Sequence, residues 1–182
     1  MSSIDITTAF NEKGETDFMF YKRNIGFHVI DRAIRLSDGC EVSDKESETI
    51  LNAYAATWVQ RNGPFKILYS DREKGVNNPN SIAELKRLGT ELRVRPPGQH
   101  ANLAEARQSM LRHVMHMIEE ELKRQGTPIP FSRLYAEAIF VVNAFSLYNG
   151  VSPYNADTGL QPACQPDLEN IDFPKGGERS DG

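Results

Sequence analysis

The sequence predicts an α/β fold in which a mixed sheet, three antiparallel strands followed by parallel strands, is flanked by helices. Three observations predict it. Short apolar runs broken by polar turns fill the opening segment up to residue 40, as strands do. Beyond residue 43 the apolar period becomes helical and alternates with further short strands. The resulting order, β-β-β-α-β-α-β-α-α, suits a sheet that begins with hairpins and continues with crossovers.

Each element has its reason. Ile4, Ile6 and Phe10 alternate with polar residues and read as a first strand, with Asp5 between two of them. Asn11–Asp17 is polar around Gly14 and reads as a hairpin turn. Phe18–Tyr21 and Gly26–Ile30 read as the second and third strands, the latter ended by Asp31. Ile34 and Leu36 extend that strand toward a turn at Ser37-Asp38-Gly39. Ser43 or Asp44 caps a helix that carries Ile50, Leu51, Tyr54, Ala55 and Trp58 and stops at Asn62-Gly63-Pro64. Phe65–Tyr69 is a strand, with Ser70-Asp71 at its end. Pro79 and Ser81 open a short helix that Gly89 closes, and Thr90–Arg95 is extended. Pro96-Pro97-Gly98 forces irregular backbone. A long helix capped by Asn102 then carries Leu103, Met110, Leu111, Val114, Met117, Ile118 and Leu122 on one face, the two methionines being read as core. A last helix spans about Ser132–Leu147. Residues 1–162 form one folded unit, and 163–182, rich in Pro, Gly and acid, read as a disordered tail or linker.

Composition narrows the classes. The 182 residues are 39% hydrophobic and 25% charged, a globular balance with enough chain for a core. Two cysteines, Cys40 and Cys164, are too few for a disulfide framework and suit a reducing compartment. No apolar run approaches the roughly 20 residues of a membrane span, and the first residues do not read as a secretory signal. The formal net charge of −4 is uneven. Residues 157–182 hold six acidic against two basic side chains, whereas 86–112 hold six basic against two acidic. A basic stretch of that kind can meet phosphates.

Carboxylates on separate elements can hold divalent cations. Mg²⁺ takes oxygen ligands, and two such ions can clamp a phosphodiester, activate an attacking hydroxyl and stabilise the leaving oxygen. Asp5 in a strand, Asp71 at a strand end and Glu105 early in a helix are placed to converge, because open α/β sheets gather ligands at strand carboxyl ends. The plain reading of each is a strand-end acid or a first-turn helix carboxylate.

Several segments, in order, resemble a known family. Ile4-Asp5-Ile6-Thr7 resembles a first catalytic strand. Phe27-His-Val-Ile-Asp31-Arg-Ala-Ile-Arg35 resembles the "D-x-x-[ST]-R" strand of retrotransposon cores. Gly63-Pro64 and Ile67-Leu-Tyr-Ser-Asp71 resemble a "G-x-P-x-x-x-x-S-D-x-G" segment. Gly89-Thr90 and Pro96 through Arg107 resemble the stretch that delivers a third acid. Asn143-Ala144, Ser152-Pro153-Tyr154 and Gly159-Leu-Gln-Pro162 resemble the closing signature. Together they resemble the catalytic core of retroviral and retrotransposon integrases, in the ribonuclease H-like superfamily. The resemblance implies catalytic, metal-holding roles for Asp5, Asp71 and Glu105 and a need for Mg²⁺ or Mn²⁺. It implies 3′-end processing and strand transfer of DNA, a homodimer or higher oligomer, and a nuclear or virus-like-particle location. Asp31 is the rival first acid, but it falls in the strand matching the family's second and is read as structural.

Departures from the pattern accompany the match. Glu105 is followed by Ala106-Arg107, it lies 34 residues after Asp71, and Gly75 is displaced from the second acid. No zinc-binding His/Cys domain or basic terminal domain is recognisable, so the resemblance implies a fragment or a truncated or domesticated copy. Arg93, Arg95, His100, Asn102 and Arg107 are candidate nucleic-acid contacts, with surface solubility as the alternative. His113 and His116 lack a third ligand and read as surface or half-buried. Two rival readings stay open: a non-catalytic nucleic-acid-binding or dimerisation module, and a nuclease that cuts RNA–DNA hybrids.

Overall fold

The computed structural model describes residues 9–71, 75–95 and 102–162. Strands β1 (Lys13–Tyr21), β2 (Asn24–Asp31) and β3 (Ser37–Val42) form an antiparallel meander. Helix α1 (Ser47–Tyr54) runs through a π-helical turn (Ala55–Val59) into α2 (Gln60–Asn62). Then follow β4 (Ile67–Ser70), α3 (Pro79–Arg87), β5 (Glu91–Val94), α4 (Asn102–Arg124), α5 (Phe131–Phe145) and α6 (Pro153–Thr158). The sheet order is β3-β2-β1-β4-β5, with β4 parallel to β1 and β5 parallel to β4. The expected fold class is present: three antiparallel strands, then parallel ones.

The two sheet faces differ. Thr16 and Phe18 of β1, Phe27 and Val29 of β2 and Leu68 of β4 lie on the face that packs against α1, the π-turn and Leu85 of α3. Trp58 is fully buried there, with its ring stacked on Phe65 and its indole N–H bonded to Asn11. Met19 of β1 lies on the opposite face under α4 and α5, against Leu111, Met115, Tyr135 and Ala138. There α4 covers β1 and β2 while α5 covers β3. On that face Tyr69 of β4 and Arg93 of β5 are followed, just past the strand ends, by Asp71 and Arg95.

Several sequence expectations are corrected. Asn11–Asp17 is not a hairpin turn, since β1 runs unbroken from Lys13 and pairs with both β2 and β4. Gly14 is there because the Phe65 ring lies over it, where a Cβ would come within 2.5 Å of the ring. Ser37-Asp38-Gly39 is not a turn but the start of β3. A Cβ on Gly39 would collide with the Phe27 carbonyl and the Tyr135 hydroxyl. The chain reverses earlier, where Asp31 Oδ1 accepts from the Ala33 and Ile34 amides at 2.8 Å each and Oδ2 from Asn11 at 2.8 Å. Asp31 is buried and committed to those amides, which explains its place in the strand. Ser43 and Asp44 precede the helix instead of capping it: Asp44 accepts from the Glu46 amide at 2.9 Å, and α1 begins at Ser47. Met110 and Met117 are not core but exposed, at 39% and 59%. The buried stripe of α4 is Ala104, Arg107, Gln108, Leu111 and Met115.

Among the described residues no helix is long and apolar enough to cross a membrane. The expected first strand around Asp5 and the expected tail 163–182 lie outside the described residues, save for Ala9 and Phe10, which stand at a bend and turn before β1.

Candidate active site

Strand pairing determines which acids meet. Thr16 of β1 is in register with Ser70 of β4, so Asp17 and Asp71 follow side by side on neighbouring parallel strands. Neighbouring strands run about 4.8 Å apart. Both acids lie where β4 ends, the carboxyl-end position at which open sheets present ligands. The covered edge of the site is α4. Gln108 Nε2 donates to Asp17 Oδ2 at 3.0 Å, while the Phe18 amide donates to Oδ1 at 2.8 Å. Burial pushes the Asp17 carboxyl above the usual carboxylate range, and the charge of Asp71 pushes the same way. The hydrogen bonds from Phe18 and Gln108 and the charge of Arg95 pull it back.

Glu105 lies in the first turn of α4, exposed, one helical turn before Gln108. Residues three apart are neighbours on a helix surface, but Glu105 is exposed where Gln108 is buried. Arg95 follows β5 directly and lies 3.1 Å from Asp71 and 2.8 Å from the buried Glu15. Arg32 approaches Glu15 at 3.4 Å and stacks over the Tyr69 ring. His28, in register with Asp17, is fully buried and has no hydrogen-bond partner on either ring nitrogen. Burial, aided by the charge of Arg107, lowers its pKa to about 3, so it is a neutral imidazole.

The expected site residues are distributed as follows. Asp71 and Glu105 are described, and Asp5 lies outside the described residues. Asp17 and Gln108 were missed by sequence reasoning. The available signal was an acid opening the apolar run Phe18–Tyr21, obscured by Gly14. Of the expected nucleic-acid contacts, Arg107 is corrected: it is 1% exposed, with its guanidinium on the carbonyls of Arg35 and Val142 at 2.5 and 3.4 Å. It ties α4 to α5 and cannot reach a phosphate. Arg93 is exposed on β5 and paired with Glu91 at 2.7 Å. His100 lies outside the described residues, as does the Asn102 side chain. His113 and His116 are exposed on α4.

Among the described residues no group of three or more His, Cys, Asp or Glu side chains is arranged to hold a metal ion. The Asp17–Asp71 pair still has the right donor chemistry. Mg²⁺ is commonly held by one or two carboxylates while keeping several waters.

No protein-family model matches the sequence, and no curated protein matches it. Solved structures do. The catalytic core domain of BIV integrase matches with a TM-score of 0.67 at 13% identity, over 80% of this chain and 93% of that one. The fold is that of a retroviral integrase catalytic core. The HTLV-2 integrase core in complex with magnesium, in its dimeric form, matches at 0.67 and 11%, over 80% and 94% of the two chains. A chain of the simian T-cell lymphotropic virus intasome, solved with PP2A regulatory subunit B56 gamma, matches at 0.72 and 12%, over 88% and 59%. The integrase-core fold explains the arrangement already seen, three antiparallel strands, two parallel ones and a long helix beside the central pair.

Proposed function

We propose that this chain is the core of a divalent-metal-dependent polynucleotidyl transferase that processes and joins DNA 3′ ends. The observation that carries the reading is the Asp17–Asp71 pair on adjacent parallel strands, with α4 fastened to it by Gln108. Asp17 and Asp71 would hold Mg²⁺ or Mn²⁺, and Glu105 would complete the oxygen set from the helix. A bound ion supplies Lewis-acid polarisation of the phosphoryl group and a lower pKa for the attacking hydroxyl. The protein's own part is to hold two carboxylates in fixed positions. β1 and β4 fix their spacing, the Phe18 amide and Gln108 hold Asp17, and α5, packed on α4, stiffens the helix. Support comes from the fold shared with integrase cores, one of them solved with magnesium.

In this reading Asp17 replaces Asp5 as the first acid. Arg93, His100 and Asn102 remain proposed DNA contacts at the mouth of the site. Exposed Phe140, Phe145 and Leu147 near the end of α5 give a second copy an apolar surface, in keeping with the dimeric and trimeric HTLV-2 cores. A nuclear or virus-like-particle location accompanies the same reading.

The test is metal-dependent resolution of a branched DNA that mimics a half-joined product, a reaction that asks least of flanking domains. Asp17→Asn and Asp71→Asn should each lose on the order of 10³-fold or more, whereas Asp5→Asn should retain activity. Loss in Asp5→Asn with full activity in Asp17→Asn would restore Asp5. Silence from the folded protein would favour the rival reading, a non-catalytic nucleic-acid-binding or dimerisation module.

A further inference from the structure

We infer that Arg95, anchored on buried Glu15, is a resident counter-cation of the acid pair and sets how tightly that pair takes a divalent ion. The inference rests on the reading of Asp17 and Asp71 as metal-holding groups.

The two ends of the Arg95 contact are unequal. Its guanidinium lies 2.8 Å from Glu15 Oε2 and 3.1 Å from Asp71 Oδ1. The side chains of Arg95 and Glu15 are 9% and 7% exposed, whereas Asp71 is 44% exposed. Glu15 therefore fixes the arginine from below, and Asp71 meets it at the solvent side. Arg32 lies 3.4 Å from the other Glu15 oxygen and stacks on Tyr69, so the anchor is itself held.

Electrostatics gives the contact its consequence. Asp17 and Asp71 follow the Thr16–Ser70 pair on adjacent parallel strands, so two carboxylates of like charge stand side by side and repel. A guanidinium on Asp71 offsets that repulsion in the metal-free protein. An incoming divalent ion has like charge to the guanidinium and claims the same carboxylate. It must share Asp71 or displace one hydrogen bond, and either weakens its binding. Glu15 limits the effect by drawing Arg95 away from the site. Removing the arginine should tighten cation binding, and removing its anchor should weaken it.

The experiment is Mn²⁺ binding to the full chain, read by electron paramagnetic resonance at fixed pH, with circular dichroism as the fold check. Arg95→Gln should bind Mn²⁺ roughly tenfold more tightly, the scale of outer-shell effects on metal sites. Glu15→Gln should bind more weakly, because Arg95 then serves Asp71 alone. The double variant keeps the net charge unchanged and should bind more tightly than wild type; Arg95→Lys, which keeps the cation, should stay near wild type. These two variants carry the test if Arg95→Gln does not fold. A purely structural arginine would shift melting temperatures without opposite-signed affinity changes, and that result overturns the inference. Equal or weaker binding in the double variant also overturns it. Mn²⁺ binding that is absent from wild type, or unaffected by Asp17→Asn and Asp71→Asn, removes the metal-site reading and this inference with it.

Discussion

Gln108 Nε2 donates a 3.0 Å hydrogen bond to Asp17 Oδ2 and so joins the start of α4 to the middle of β1. Through that bond the helix bearing Glu105 is tied to the strand bearing the first of the paired acids. Asp17 sits in partial burial beside Asp71, and the Phe18 amide, Gln108 and the charge of Arg95 favour its charged form.

Asp17→Asn should therefore stabilise the fold while losing the proposed metal-dependent activity. The native Asp17 carboxyl titrates above its unfolded value. Between those two values the native state holds more protons than the unfolded state, so stability falls as pH rises through the window and stays reduced above it. An amide removes that loss: its oxygen still accepts from the Phe18 amide, and its NH2 donates to Gln108 Oε1 once that side-chain amide turns over. At pH 7 the melting temperature should rise by about 2 °C. Differential scanning calorimetry checks this, and a clear drop would contradict the burial argument.

Arg107 and Arg93 should separate cleanly. Arg107 donates from the interior to the Arg35 and Val142 carbonyls and lies near the Tyr148 ring. Arg107→Ala should cost about 2–4 kcal/mol, since it opens a cavity and leaves two carbonyls without a donor. Arg93→Ala on the exposed edge should leave stability within about 0.5 kcal/mol. If that face meets DNA, it should reduce the salt slope of binding by about one. Urea titration and salt-dependent anisotropy read the two effects.

Asn143 supplies a third case. Its side-chain amide accepts from the Ser37 amide at 2.9 Å and donates to the Ser37 carbonyl at 2.7 Å, closing the start of β3 as a neighbouring strand would. Asn143→Leu should cost about 2–3 kcal/mol, because both backbone groups are buried and lose their partner. Asn143→Asp should cost at least as much, since the Ser37 carbonyl then faces a carboxylate. Hydrogen exchange at the Ser37 amide should rise in Asn143→Leu, where that amide loses its acceptor.

What the sequence revealed and what it hid have the same cause, periodicity. The order of strands and helices was legible because the change from short apolar runs to helical spacing survives errors of a residue or two. Strand phase was not. Gly14 reads as a turn residue, yet it serves the Phe65 ring packed over β1. Taking it as a turn cost the strand its first half and hid Asp17. Likewise Ala104, Arg107, Gln108, Leu111 and Met115 recur every three or four residues and form the buried stripe of α4. Two of the five are polar, so the apolar residues alone suggested a stripe that included Met110 and Met117. The polar members were the informative ones, since one holds Asp17 and the other bridges to α5.

His28 makes the last prediction, on pH. It is fully buried in register with Asp17, its nitrogens are without hydrogen-bond partners, and its pKa is lowered from 6.5 to about 3. The unfolded chain therefore binds a proton that the native protein refuses between those two values. Stability rises with pH across that window and is lost as the solution is acidified below about pH 6.5. Above the window His28 is neutral in both states and contributes no slope. His28→Leu removes the titration without removing a hydrogen bond, so its urea midpoint should fall less than that of wild type between pH 7 and pH 5. Equal acid sensitivity of the two proteins would assign the slope to other groups and would mean that His28 is protonated in the native fold.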